Sequence, residues 1–242
     1  MPVASTEEPI AAPSLALLLL ELRVFMELPR FVATSLSVEN LPRGKGQPIM
    51  IVPGFGASDL NTAPLRLALR RLGYSVFGWN QGVNVGMRPR VKQALTAELR
   101  ELRDRYEDKI TLIGWSLGGV FAREMARHQP ECVRRVITLG SPINGDPEAN
   151  NLNPLFRLAN LGKPLKTDLE GFRRRIVAPP VPCVAIHTKT DGLVAWQCSL
   201  EEPAENTRNI EVHGSHMGLV YNAQALAAIA GILAEPVPDS VE

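Results

Sequence analysis

Cysteine is scarce and unpatterned in this 242-residue chain: Cys132, Cys183 and Cys198 make an odd three, with no C-x-x-C pair. That excludes a disulfide framework and a cysteine zinc site. It fits a reducing compartment, so a cytoplasmic location is the expectation. Cys183 lies in an apolar run and reads as a small core residue. An excess of one charge is missing too. With 26 basic against 25 acidic residues, no global field favours nucleic acid. The one dense basic run, residues 173–175, reads as a solvated helix face. A membrane-length apolar run is also lacking. The run at residues 15–20 is followed by Glu21, Arg23 and Glu27 and is too short to span a bilayer. Glu7 and Glu8 precede it, where a signal peptide would carry positive charge. This segment is expected to form a helix packed on the domain. The alternatives are an anchor on a membrane or lipid surface through residues 14–32, a cover over an apolar pocket, and an export signal. No cluster of metal ligands and no internal repeat is visible, and neither a metal nor a cofactor is expected.

What the chain has is globular composition, 45% hydrophobic and 21% charged, at a length ordinary for one α/β domain. Residues 1–13 hold three prolines and read as a disordered tail. From residue 48 onward short apolar runs alternate with helical patterns. Strands are expected at residues 49–52, 74–80, 109–115, 133–142, 181–188 and 209–214. Helices are expected from 61 with Asn61 or Thr62 as cap, then at 87–108, 117–131 and 217–235. Continuous apolar strands between helices predict an α/β fold whose mainly parallel sheet, of about six strands, is covered on both faces. Residues 144–180 break the rhythm and read as a short cap insertion. The expected organisation is a tail and apolar helix over residues 1–45, then one domain over 46–242.

The third expected strand runs straight into Gly114-Trp115-Ser116-Leu117-Gly118 and then a helix. The bare Gly-x-Ser-x-Gly pattern recurs by chance in about one chain in twelve of this length, so its context carries the signal. A serine at a strand-to-helix corner stands above the carboxyl end of the strand, where open α/β sheets bind ligands. Gly114 and Gly118 remove side chains that would clash in so sharp a turn. This stretch resembles the nucleophile elbow of the α/β-hydrolase superfamily, and the resemblance covers about residues 48–234. It implies an acid and a histidine in that chain order after the serine. The acid would be Asp191, in "HTKTDGLV" just past the fifth strand. The histidine would be His216, in "VHGSHMGL" before the last helix. His213 is the competitor for that role, His187 reads as a core or supporting histidine, and His128 as exposed. The resemblance further implies an oxyanion hole from the backbone N–H groups of Leu117 and Phe55, the latter in "PGFGAS". Pro53 stands where relatives often carry histidine, a small departure for a contribution made by a backbone amide.

The segments "GSPINGDP", "LNTAPLR" and "GWNQGVNVG" look like the bacterial lipase and esterase branch. That likeness implies a serine hydrolase cleaving small-molecule carboxylic esters through an acyl-enzyme. An acyltransferase, a thioesterase or an amidase would use the same triad, and a non-catalytic binding protein on this fold is the reading from another class. Asn80, Gln81 and Asn84 acquire no role from sequence, Asp59 reads as a helix cap, and the sequence sets no oligomeric state.

Overall fold

A computed structural model describes residues 10–35, 40–144 and 176–237. The expected disordered tail therefore lies almost wholly outside the described residues. So do the basic run at 173–175 and nearly all of the expected cap.

The N-terminal segment is a short helix α1 (Leu15–Leu20), a 3-10 turn (Glu21–Arg23) and helix α2 (Val24–Ser35). Next come β1 (Pro48–Val52), α3 (Asp59–Arg71), β2 (Ser75–Phe77), α4 (Pro89–Tyr106) and β3 (Ile110–Trp115). Helix α5 (Leu117–His128) and strands β4 (Val133–Leu139), β5 (Cys183–His187) and β6 (Thr207–Glu211) follow, and α6 (Ala223–Ala234) closes the described chain. The six strands form one sheet in the order β2-β1-β3-β4-β5-β6, with every pairing parallel. The expected α/β fold with a six-stranded parallel sheet is what the chain adopts.

Alternation along each strand sends successive side chains to opposite faces. Ile49, Ile51, Ile113, Ile137 and Ile186 pack with Phe31 of α2, Leu65 and Leu69 of α3, and Leu226 and Ile229 of α6. Met50, Val52, Leu112 and Val136 face Leu95, Leu99 and Leu102 of α4 and Phe121 and Met125 of α5. Both faces are buried along β1, β3, β4 and β5, which is why these strands read as apolar runs, while the edge strand β6 is largely exposed.

Local chemistry moved several boundaries. The N-cap of α3 lies three residues before Asn61, the earlier of the two expected caps. Ser58 is the N-cap and forms a capping box with Asn61. Asp59 sits in the first turn, and its carboxylate accepts the N–H groups of Trp79 and Asn80 at 3.0 Å each. Those N–H groups are thereby taken from the sheet, and β2 ends at Phe77 rather than Asn80. The closing helix begins late, at Ala223. Asn222 caps it by accepting from the N–H groups of Gln224 and Ala225, after a separate 3-10 turn at Leu219–Tyr221.

Cys132, Cys183 and Cys198 are free and buried. Burial pushes the Cys183 thiol up to about 12, leaving it inert as a nucleophile. Among the described residues, no helix is long and apolar enough to cross a membrane.

Leu99 is completely buried between α4 and the sheet. Leu99→Ala is expected to lower unfolding free energy by about 2–5 kcal/mol, measured by urea denaturation with an unchanged slope.

Candidate active site

The strand order reverses beside β1: the chain steps outward to β2, then crosses back to β3 on the other side. Loops leaving β1 and β3 at their carboxyl ends diverge there and leave a crevice, the usual ligand position in such sheets. Ser116 lies at that point. It follows β3, it is the N-cap of α5, and its backbone is at φ +53°, ψ −125°. Positive φ is costly for a residue with a side chain, roughly 1–3 kcal/mol. Surrounding contacts impose it. The Ser116 N–H donates to the Leu139 carbonyl at 2.8 Å. A side chain on Gly114 would strike the backbone of Gly118 and Gly119, and one on Gly118 would strike the carbonyls of Val52 and Pro53. The expected steric role of these two elbow glycines is thus visible atom by atom.

The loop after β1 passes against the corner: a Cβ on Gly54 would lie 3.1 Å from Ser116 Cβ. Phe55 therefore sits in the loop beside the serine, and Leu117 is the first residue of α5. Asn84 is fully buried and braces this loop. Its side-chain amide donates to the Pro53 carbonyl at 2.8 Å, its carbonyl accepts from Gly56 N–H and its own N–H donates to Ala57. Sequence alone gives Asn84 no role. Its value depends on a loop about thirty residues away in the chain, which no local pattern reveals.

Asp191 follows β5 and His216 follows β6. His216 Nδ1 and Asp191 Oδ2 are 2.6 Å apart, with both side chains about 1% exposed. The other carboxylate oxygen of Asp191 accepts the N–H groups of Leu193 and Val194 at 2.8 and 2.7 Å. The Asp-Gly-x-Val loop is thus a turn wound around its own carboxylate. Burial alone would lower the imidazole pKa of His216. The Asp191 carboxylate, and further off that of Glu21, outweigh burial and raise it above the ordinary value of 6.5.

The pair and the serine corner meet at the end of β4. Gly140, next to the carbonyl that anchors Ser116, is at φ +55°. A Cβ on it would lie 3.0 Å from His216 Nδ1 and 3.2 Å from Asp191 Oδ2. The ring of Trp115 stands 6.1 Å from that of His216, and its indole N–H donates to the His216 carbonyl at 3.1 Å. Asp191 and His216 thus lie against Gly140, and the carbonyl just before that glycine holds the backbone N–H of Ser116.

The other histidines are elsewhere. His213 is exposed, and its backbone N–H donates to Gln224 at 2.9 Å. His187 is buried and stacked on Trp196 at 5.8 Å; burial lowers its pKa, with Glu211 opposing. His128 is exposed at the end of α5.

Sequence reading also missed the site's neighbours from the N-terminal segment. Glu21 Oε1 accepts from Gly192 N–H at 2.8 Å and His216 N–H at 2.9 Å, and Oε2 from Met217 N–H at 2.9 Å. Glu27 accepts from the N–H and hydroxyl of Ser215 at 3.0 and 2.5 Å. Arg23 donates to Thr190 and to the Gly214 carbonyl. The only signal was three charged residues amid leucines.

No curated protein matches the chain in sequence. Among solved structures, a lipase B from Aspergillus fumigatus superposes with a TM-score of 0.62 at 16% identity, covering 80% of this chain and 53% of that one. The chain thus spans about half the length of that lipase. The mature lipase BlEst2 of Bacillus licheniformis gives 0.59 at 18% identity, over 79% and 94% of the two chains. A thioesterase domain from the curacin biosynthetic pathway gives 0.55 at 13%, over 80% and 93%. Identities this low speak to the fold. A family model described as the alpha/beta hydrolase fold matches residues 47–182, a stretch that holds the serine corner and stops short of Asp191 and His216. That match spans more than half of the sequence and agrees with the strand order, and the chain belongs to the α/β-hydrolase fold family.

Proposed function

We propose that the protein is a serine hydrolase cleaving carboxylic esters through an acyl-enzyme. The observation that carries this reading is the buried His216–Asp191 pair meeting the strained Ser116 corner across Gly140. Ser116 Oγ attacks the acyl carbonyl. His216 takes the hydroxyl proton and returns it to the leaving alkoxide, and water then repeats the sequence to release the acid. Asp191 holds Nδ1–H and so leaves Nε2 as the base, while stabilising the imidazolium. The N–H groups of Leu117 and Phe55 receive the oxyanion, at the N-terminus of α5. Relatives in fold that are named lipases support an acyl ester as substrate. The likeness to a named thioesterase keeps an acyl thioester as the second reading.

The outward side chains of the N-terminal segment support a lipid or aggregated ester surface as the place of work. Leu15, Leu19, Leu22 and Phe25 are 64–77% exposed, on the same segment whose inner side touches the acid and histidine loops. Flotation with phosphatidylcholine vesicles checks this part. The protein is expected to float, and a variant with these four residues changed to serine to remain at the bottom.

Purified protein is expected to hydrolyse p-nitrophenyl acyl esters and to be labelled at Ser116 by a fluorophosphonate. Ser116→Ala should lower kcat by roughly 10⁴–10⁶-fold. His216→Ala should lose both behaviours, while His213→Ala keeps them. A matched panel of oxygen esters and thioesters separates the two readings by kcat/KM.

The base must be neutral in the free enzyme, so kcat/KM rises with pH as His216 loses its proton. Its raised pKa puts that limb above the ordinary imidazole value of 6.5. A limb measured below that value would contradict the carboxylate environment.

A further inference from the structure

Three glycines in the acid and histidine loops have no room for a side chain, and two of them face the N-terminal segment. A Cβ on Gly192 would press on the carbonyl carbon of Leu17 at 2.7 Å and Glu21 Cγ at 2.9 Å; one on Gly218 would strike the Glu27 carboxylate. The segment is therefore inlaid over both loops. Glu21 is 7% exposed, and its three acceptor contacts divide tellingly. One goes to Gly192, the residue after Asp191; two go to His216 and Met217. A single carboxylate thus spans the two loops whose side chains form the His–Asp pair. Thr188 and Thr190 hydroxyls, donating to the Gly214 carbonyl at 2.9 and 3.0 Å, tie the same loops directly.

We propose that Glu21 is a positioning residue for the reaction: its carboxylate sets His216 against Asp191 and adds a second negative charge that stabilises the imidazolium formed when Ser116 gives up its proton. This rests on the hydrolase reading above. The charged groups facing the His216 loop from the elements packed on it are Asp191 at the ring, Glu21 at its backbone, Glu27 at Ser215 and Arg23 at the Gly214 carbonyl. Arg23 also bridges the two loops, through Thr190 and Gly214, but its positive charge opposes the imidazolium; Glu21 is the carboxylate that spans both and meets the backbone of His216 itself. Replacing it with glutamine leaves one oxygen where two accepted three N–H groups, and turns an amide NH₂ toward a donor. The geometry loosens and a charge disappears in one step.

Angular precision matters steeply in catalysis, with a misplacement of about 1 Å costing on the order of 10²-fold. Glu21→Gln is therefore expected to lower kcat by roughly tenfold to a hundredfold with KM nearly unchanged. The acid limb of kcat/KM should move to lower pH, because neutralising a carboxylate makes the imidazolium easier to deprotonate. The downfield proton NMR signal of the His216 Nδ1–H, followed against pH without substrate, should titrate at lower pH too. Leu99→Ala is the comparison: Leu99 lies in the core on the opposite face of the sheet from the N-terminal segment, so this variant should lower Tm and leave limb and kcat in place. If Glu21→Gln lowers Tm but keeps kcat and the titration of His216 at wild-type values, Glu21 is an anchor only and the proposal is overturned. Should Glu21→Gln fail to fold, Glu21→Asp keeps the charge one methylene short. It should then show a lower kcat with a retained limb, and an unchanged kcat would overturn the proposal. Failure of the hydrolase reading shows separately, as ester turnover that survives Ser116→Ala.

Discussion

A carboxylate and an imidazole about 1% exposed, 2.6 Å apart, set the terms for this molecule. Removing such groups from water is expensive unless every polar atom finds a partner. Here the partners are numerous and come from far along the chain. Asp191 spends one oxygen on the imidazole and the other on two backbone N–H groups of its own turn. The backbone of His216 is held at both ends, its N–H by Glu21 and its carbonyl by the Trp115 indole. Each of these pairings offsets part of that cost, since a half-satisfied buried network is worse than an apolar core.

The serine side of the site is held by the opposite device. Ser116 is strained, and what holds it is packing: a completely buried β3, glycines pressed against neighbouring backbone, and a hydrogen bond to the Leu139 carbonyl. Strain persists where the surroundings over-determine a conformation. The two devices meet within one peptide unit at the end of β4. Leu139 anchors the strained corner, and Gly140 makes room for the polar pair. A small change at that junction would reach both.

How much of this could be read beforehand follows the range of the interactions. Strand runs buried on both faces, and helices with apolar stripes such as Leu95, Leu99 and Leu102, are written locally, so the sheet and its covering helices were legible. The elbow was legible because its glycines and serine are contiguous. Asp191 and His216 were expected together because their loops follow strands in a known order, and the two side chains do pair. What eluded reading was the use of polar side chains over long chain distances. Asp59 ends β2 early by taking two N–H groups from it, and Asn84 braces the loop after β1 from another loop. Glu21 reached His216 across 195 positions. In sequence, its charge counts merely as a break in an apolar run.

That break is the informative feature in retrospect. An ordinary surface helix buries its apolar stripe and shows its charges to water. The segment from Leu15 to Glu27 does the reverse: leucines and Phe25 face outward while Glu21 and Glu27 face the protein. The surface beneath explains the inversion. The loops that follow β5 and β6 cannot pair their backbone as strands do, yet their buried N–H groups need acceptors. Gly192, Ser215, His216 and Met217 present such groups, and two carboxylates from the segment take all four. The charges are turned inward by the backbone of the site they cover, and the apolar side chains are left outside as the consequence.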